Sequence, residues 1–309
     1  VTLTVRSVAI ADDHELLDLL PHGPDALAWV RDGEGIVAWG VAERIEAGRG
    51  HRRFVRAQQG LADLAADSEV TDEVELPGSG LIGVGSFTFD ADADGSVLVV
   101  PRTVIGRRGG VTWRTDLTPS SAVPAPPPAT ATPLRAPAAR PRYAGSSLPD
   151  VHWLEAVARA IDRIAAGEAD KVVLARDHAV WSHEPFDAID LARRLTARFP
   201  RCHTFSVEGL VGATPELLLA RAGRDVASRV LAGTTGRSAD EVEDAALGAA
   251  LLSSTKDLAE HRFAADSVRE VLAPRCADLA GEPGPRLLRL DNVQHLATTF
   301  TGHLDDPST

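Results

Sequence analysis

Residues Thr118–Arg142 are Pro- and Ala-rich and include Pro124-Ala-Pro-Pro-Pro128. Proline supplies no N–H for a ladder and alanine supplies little apolar area, so such a run cannot build a packed core. It reads as an extended linker over 118–145 that divides the sequence into 1–117 and 146–309. It need not divide the fold, but any core must come from the two flanking parts.

The first part is strand-leaning. Thr2–Ile10 alternates, and Glu15–Leu20 is a short helical candidate. Ala28–Val30 and Gly35–Ala42 predict strands joined at Asp32-Gly33, a hairpin signal. Arg52–Ala65 has helical periodicity. Leu81–Phe89 and Ser96–Ile105 predict strands on either side of the acidic stretch Asp90–Gly95. That stretch lacks the later bidentate Glu of a calcium loop and reads as a plain hairpin turn. Arg107–Gly110 is a turn and Val111–Arg114 a further strand. Consecutive antiparallel strands are the economical arrangement.

In the second part, Ser146–Asp150 offers capping residues ahead of a helix marked by Val151, Leu154, Val157, Ile161 and Ile164, which Gly167 ends. Lys171–Ala175 predicts a short buried strand and Phe186–Phe199 a helix. His203–Val207 and Leu210–Ala213 predict strands around the turn Glu208-Gly209. Strands over Glu216–Ala220 and Val226–Leu231 lead to a polar loop, Ala232–Arg237. A helix over Ala239–Ser253 comes next, then a helix within Leu251–Leu272, and strand-like runs at Leu287–Leu290 and His295–Phe300.

The stretch Leu251–Leu272 sets Lys256, Asp257, Glu260 and His261 into an apolar pattern. In a helix starting near Asp257, Glu260 shares a face with Ala264, Val268 and Val271, with Leu272 beside them. A carboxylate there is expensive to bury unless a metal ion, a cationic partner or a proton meets it. In an exposed first turn it would only complement the helix dipole. Spacing leaves both readings open.

Composition narrows the classes. A formal net charge of −12 over 309 residues offers no excess of cations to a phosphate backbone, so no nucleic-acid partner is expected. No basic N-terminal region precedes an apolar run and no apolar stretch is long enough to span a bilayer, so a cytoplasmic chain without a membrane partner is the expectation. Cys202 and Cys276 form no metal-type pair. The cationic side chains are overwhelmingly arginine, and the only two lysines are Lys171 and Lys256. A lysine retained against that bias is either a chance survivor or a position that needs an amine able to change protonation state, which arginine cannot supply. Four polar interruptions are therefore candidates: Lys171, Glu216 after the Thr214-Pro215 break, Gly233-Thr234 with backbone N–H groups and hydroxyls for an anion, and Glu260 with His261.

Taken together, five runs occur in a telling order: KVVLAR (Lys171–Arg176), GATPELL (Gly212–Leu218), LAGTTGR (Leu231–Arg237), STKDLAEH (Ser254–His261) and VQHLAT (Val293–Thr298). The sequence resembles the chorismate-utilising enzymes, which include isochorismate synthase, salicylate synthase, anthranilate synthase component I and aminodeoxychorismate synthase component I. The resemblance is strong over Val151–Leu304 and looser over Leu81–Arg114. It implies an α+β fold like that of anthranilate synthase component I: two layered antiparallel β-sheets with helices outside and the active site in the cleft between them.

Within that family, a lysine opening KVVLAR goes with water as nucleophile, where the amine-adding members carry glutamine. Ala232 stands where the aminodeoxychorismate enzymes place a nucleophilic lysine. The resemblance therefore implies isochorismate synthase first and salicylate synthase second, with no glutamine amidotransferase partner. Water attacks C2 of chorismate while the C4 hydroxyl leaves. Lys171 would take the proton from water and must be neutral to do so, and Glu216 would protonate the departing hydroxyl. Glu260 would be a ligand of the Mg²⁺ that holds the ring carboxylate, and Gly233, Thr234 and His295 would line the substrate pocket. Ser254, Lys256, Asp257 and His261 match the metal motif and would support it. The product would feed menaquinone or siderophore biosynthesis.

The resemblance also implies a further C-terminal segment with an HPTP-type turn, a second glutamate ligand, a Tyr/Arg clamp and a glycine-rich carboxylate loop. Nothing after His303-Leu304 supplies these. A truncated enzyme, or a chorismate-fold protein that binds without turnover, is the corresponding expectation.

Overall fold

A computed structural model describes residues 2–119 and 141–306. All but the ends of the expected 118–145 linker lies outside the described residues. The chain forms two units, Val1–Leu134 with Ala188–Thr309, and Arg135–Asp187.

The larger unit begins with β1 (Leu3–Ile10), a 3-10 turn at Leu16–Leu19, β2 (Leu27–Arg31) and β3 (Glu34–Glu46). Asp32 and Gly33 both take positive φ, 51° and 76°, which gives the two-residue hairpin turn whose twist suits the flanking strands. Next come α1 (Arg53–Ala66), β4 (Glu69–Asp72), β5 (Val84–Ser86), β6 (Val97–Arg108) and β7 (Val111–Pro119). The smaller unit holds β8 (Arg142–Gly145), α2 (Asp150–Ala165) and β9 (Ala179–Trp181). The larger unit resumes with α3 (Ala188–Arg198), β10 (His203–Val207) and β11 (Leu210–Thr214).

One nine-stranded sheet runs β11-β10-β2-β3-β6-β7-β1-β4, with β5 also on β6. The hairpin β10–β11 thus joins the sheet begun by the N-terminal residues: Thr204, Phe205 and Ser206 pair with Val30, Trp29 and Ala28. The expectation of consecutive antiparallel pairing holds for β2–β3, β6–β7 and β10–β11. By contrast, β1 joins β7, β3 joins β6 and β10 joins β2 out of chain order, and one edge is not antiparallel. There β4 pairs parallel to β1, because α1 carries the chain across before β4 enters the sheet. On one side the sheet buries Leu16, Leu17, Val30, Val37, Ile105 and, from α3, Ile189 and Ala192. Another cluster joins Leu64 of α1 to Leu3, Val5, Val100 and Leu117.

The second sheet contains β12 (Leu217–Ala222), β13 (Asp225–Gly236), β14 (Ala280–Gly281), β15 (Arg286–Arg289) and β16 (Val293–His303). Its order is β12-β13-β16-β14, with β15 also on β16, and every pair is antiparallel. Between β13 and β14 lie α4 (Glu241–Ser253) and α5 (Thr255–Leu272). Asp240 caps α4 by accepting from Glu243 N–H at 2.9 Å. Ser254 caps α5 by accepting from Asp257 N–H. The α5 face packs Ala265 with Val230 and Phe300, and Leu272 with Val226, Cys276 and Leu304. Full burial of Phe300 alone removes enough apolar area from water to stabilise the fold by about 2–3 kcal/mol. The α+β class and the antiparallel sheets agree with expectation.

Several local expectations need correction. Lys171–Ala175 is not a buried strand: Val173 is 81% exposed, and the sole ladder described in its unit is β8–β9, so the run has no strand partner there. Ser146 and Ser147 do not cap α2. Their hydroxyls donate to Asp177, and Pro149 occupies the N-cap. Within the predicted strand Leu81–Phe89 only β5 pairs. Ala232–Arg237 is largely strand rather than loop, because β13 continues through it after a bulge between Leu231 and Thr234.

Candidate active site

The bulge in β13 is the seed of the site. Gly233 there has φ +82°, and a Cβ on it would meet Leu296 at 3.1 Å and Asp257 at 3.3 Å. Glycine is therefore required twice, by conformation and by the close approach of α5. Beyond the bulge, Thr234 is paired with His295 of β16, and its hydroxyl shares a 2.9 Å hydrogen bond with His295 Nδ1. Glu216 stands just before β12, where Thr214 Oγ1 accepts from its N–H. Its carboxylate accepts from Leu231 N–H at 3.3 Å, ahead of the bulge. Burial pushes the His295 imidazole below its ordinary range, and the charge of Glu216 opposes that shift. Glu216, Thr234 and His295, proposed from separate motifs, thus meet at one end of the second sheet beside Gly233.

From behind, α5 fixes this end. His261 is buried; its Nδ1 lies 3.1 Å from the Ala232 carbonyl and its Nε2 lies 2.7 Å from Thr298 Oγ1. The imidazole therefore ties the strand before the bulge to β16. α5 begins at Thr255, two residues earlier than expected, so Glu260 sits in the second turn and is half-buried. It is not a first-turn dipole partner. The buried face is rotated by one residue, running through His261, Ala265 and Leu272, while Val271 is 55% exposed. Glu260 borders that face. Asp257 is held by the Ser254 hydroxyl. Asp257 lies next to Gly233, and Glu260 follows it at i+3 on the same side of the helix. A hard divalent cation fits such oxygen donors when water and substrate complete its shell. Among the described residues the one cluster of three potential ligand side chains is elsewhere, at Asp12, Asp13 and His14 on the surface.

Lys171 belongs to the smaller unit, half-buried in the run after α2. Sequence reasoning also missed a cavity of about 570 Å³ lined by Pro215 and by residues of both sheets, and dominated by arginine. No local motif marks it, because its residues come from distant strands. Among the described residues no helix is long and apolar enough to cross a membrane.

Comparison with known proteins bears on the same residues. The family model described as chorismate binding enzyme matches residues 129–309. A Mycobacterium tuberculosis protein named for isochorismate synthase MenF is 36% identical over 245 residues, 75% of this chain and 60% of that protein. Isochorismate synthase DhbC of Bacillus subtilis is 39% identical over 163 residues, 49% of this chain and 41% of that protein. This chain therefore spans well under two thirds of either relative. The structure of MenF, the menaquinone-specific isochorismate synthase from Escherichia coli, superposes with a TM-score of 0.75 at 22% identity, covering 98% of this chain and 71% of that one. It shares the fold of two antiparallel sheets with flanking helices. With the motif residues gathered at the β13 bulge and the family model matched over more than half of its length, the chain belongs to the chorismate-binding enzymes.

Proposed function

We propose that this chain is an isochorismate synthase, converting chorismate to isochorismate by water attack at C2 and loss of the C4 hydroxyl. The observation that carries the reading is the convergence of Glu216, Thr234 and His295 on the β13 bulge. Relatives named isochorismate synthase support it. Glu216 protonates the departing hydroxyl. The 2.9 Å contact with Thr234 orients His295 at the pocket wall, and the Gly233 bulge lets backbone N–H groups approach an anionic substrate. His261 keeps that bulge in register by holding the Ala232 carbonyl. Water activation falls to Lys171 by family resemblance. Glu260, with Asp257 nearby, would hold Mg²⁺, which when bound neutralises and positions the ring carboxylate. The product would feed menaquinone or siderophore biosynthesis.

The test is chorismate turnover with and without Mg²⁺, products being separated chromatographically. Isochorismate formed only with metal is expected, with a loss of about 100-fold or more in Lys171→Ala and in Glu216→Gln. Salicylate and pyruvate as products would replace the reading by salicylate synthase. Absence of both turnover and chorismate binding would overturn it.

A further inference from the structure

Six arginines line the cavity between the sheets: Arg31 on β2, Arg201 ahead of β10, Arg229 on β13, Arg237 just after it, and Arg286 and Arg289 on β15. Three have carboxylate partners: Arg31 with Asp32 at 3.4 Å, Arg237 with Asp244 at 2.7 Å and Arg286 with Glu282 at 3.0 Å. Arg201, Arg229 and Arg289 have no carboxylate within ion-pair distance among the described residues. Arg201 donates to the Arg289 carbonyl, and Arg289 Nε donates to Gln294. Burial, with Arg31 and Arg286 nearby, holds the Arg229 guanidinium below the usual arginine range, and Glu282 opposes this. Beside it, His203 Nδ1 is buried without a hydrogen-bond partner among the described residues.

This is an incompletely compensated concentration of positive charge in a chain whose formal net charge is −12. Like charges gathered in a partly desolvated cavity repel one another, and an anion relieves that repulsion. The overall negative charge disfavours a long polyanion such as nucleic acid. A volume of about 570 Å³ suits a small molecule. Guanidinium forks match phosphate and carboxylate oxygens in pairs.

We propose that this cavity is a binding site for a compact polyanion, a small molecule carrying two or more phosphate or carboxylate groups, separate from the chorismate site. Pro215 and Ala297 also line it. Pro215 precedes Glu216, and Ala297 shares a strand face with His295, so an occupant lies next to the candidate active site and can modulate it. The inference does not depend on which reaction that site performs.

The experiment is calorimetric titration of the full chain, at about 0.15 M salt, with pyrophosphate, citrate, orthophosphate and acetate. Pyrophosphate or citrate is expected to bind with Kd below about 1 mM and at least about tenfold more tightly than the orthophosphate or acetate control. The better of the two identifies phosphate or carboxylate as the natural group. Arg229→Gln and Arg289→Gln should each weaken binding about tenfold, while Arg229→Lys keeps part of it. Should either glutamine variant fail to fold, Arg201→Gln at an exposed position reads the same effect. Equal weak binding of all four anions, or no change in the variants, would overturn the proposal. So would displacement by saturating chorismate, which would make the arginines part of the substrate site.

Discussion

Helices α2 and α3 are both amphipathic in sequence, yet they end in opposite environments. α3 buries Ile189 and Ala192 against the nine-stranded sheet. α2 buries nothing: Val151, Leu154 and Ile161 are 58%, 66% and 60% exposed. The strands of its own unit are equally open, with Val180 and Trp181 exposed. What orders that unit is polar. Ser146 and Ser147 converge on Asp177, whose carboxyl they hold below its ordinary value. Arg176 pairs with Asp150 at the start of α2, and Arg163 pairs with Glu168 just past its end. An apolar stripe therefore states a demand for a partner, and only packing says whether the demand is met.

Substitutions can break or sharpen this contrast. The largest effect is expected at Phe300, fully buried between α5 and the second sheet: Phe300→Ala should lower the unfolding free energy by about 3–5 kcal/mol in urea titrations. His261→Ala should cost about 1–3 kcal/mol, because it leaves the Ala232 carbonyl and Thr298 hydroxyl unpaired in a buried setting. A polar residue that matters this much belongs with the packed region, and a loss under about 0.5 kcal/mol would remove it from there.

A smaller effect follows from pH. Burial, and then the charges of Arg31 and Arg229, hold His203 below the ordinary imidazole value, with Asp32 opposing. The unfolded chain thus binds the proton more readily than the folded one near and below pH 6.5. The contribution of neutral His203 is complete above that value and is lost as pH falls through it toward the folded pKa. Stability should rise with pH across this window, and His203→Gln should flatten the slope in denaturant titrations. The smallest effect is expected on α2, where Leu154→Ala should change stability by no more than about 0.5 kcal/mol. A cost above about 2 kcal/mol would mean that the stripe is covered in solution and that the contrast fails.

Features set by neighbouring residues were legible in the sequence. Asp32-Gly33 and Glu208-Gly209 both form turns with positive φ, because two-residue hairpins demand that conformation. Glu216, Thr234 and His295 were found from motifs and meet in space. The rest depends on chain segments far apart. No pattern in His203–Val207 says that it pairs with β2. The Lys171–Ala175 run has strand-forming residues but no strand beside it within its unit. Periodicity alone set the α5 face one residue off, because it could not anticipate that His261 is polar and buried. The arginine cavity is assembled from strands of both sheets and has no linear signature.

The pairing of β10 with β2 also has a consequence in time. Ser206 and Ala26 are in contact across 180 positions of sequence. At about 5–20 residues per second of synthesis, β2 waits roughly ten to forty seconds for its neighbour. Throughout that interval the strand's outer backbone groups form an open sheet edge on the nascent chain, the kind of edge that recruits a second copy. Dense ribosome loading should therefore lower the yield of native protein, and slowing initiation or supplying a holdase chaperone should restore it, without any change in the stability of the finished fold.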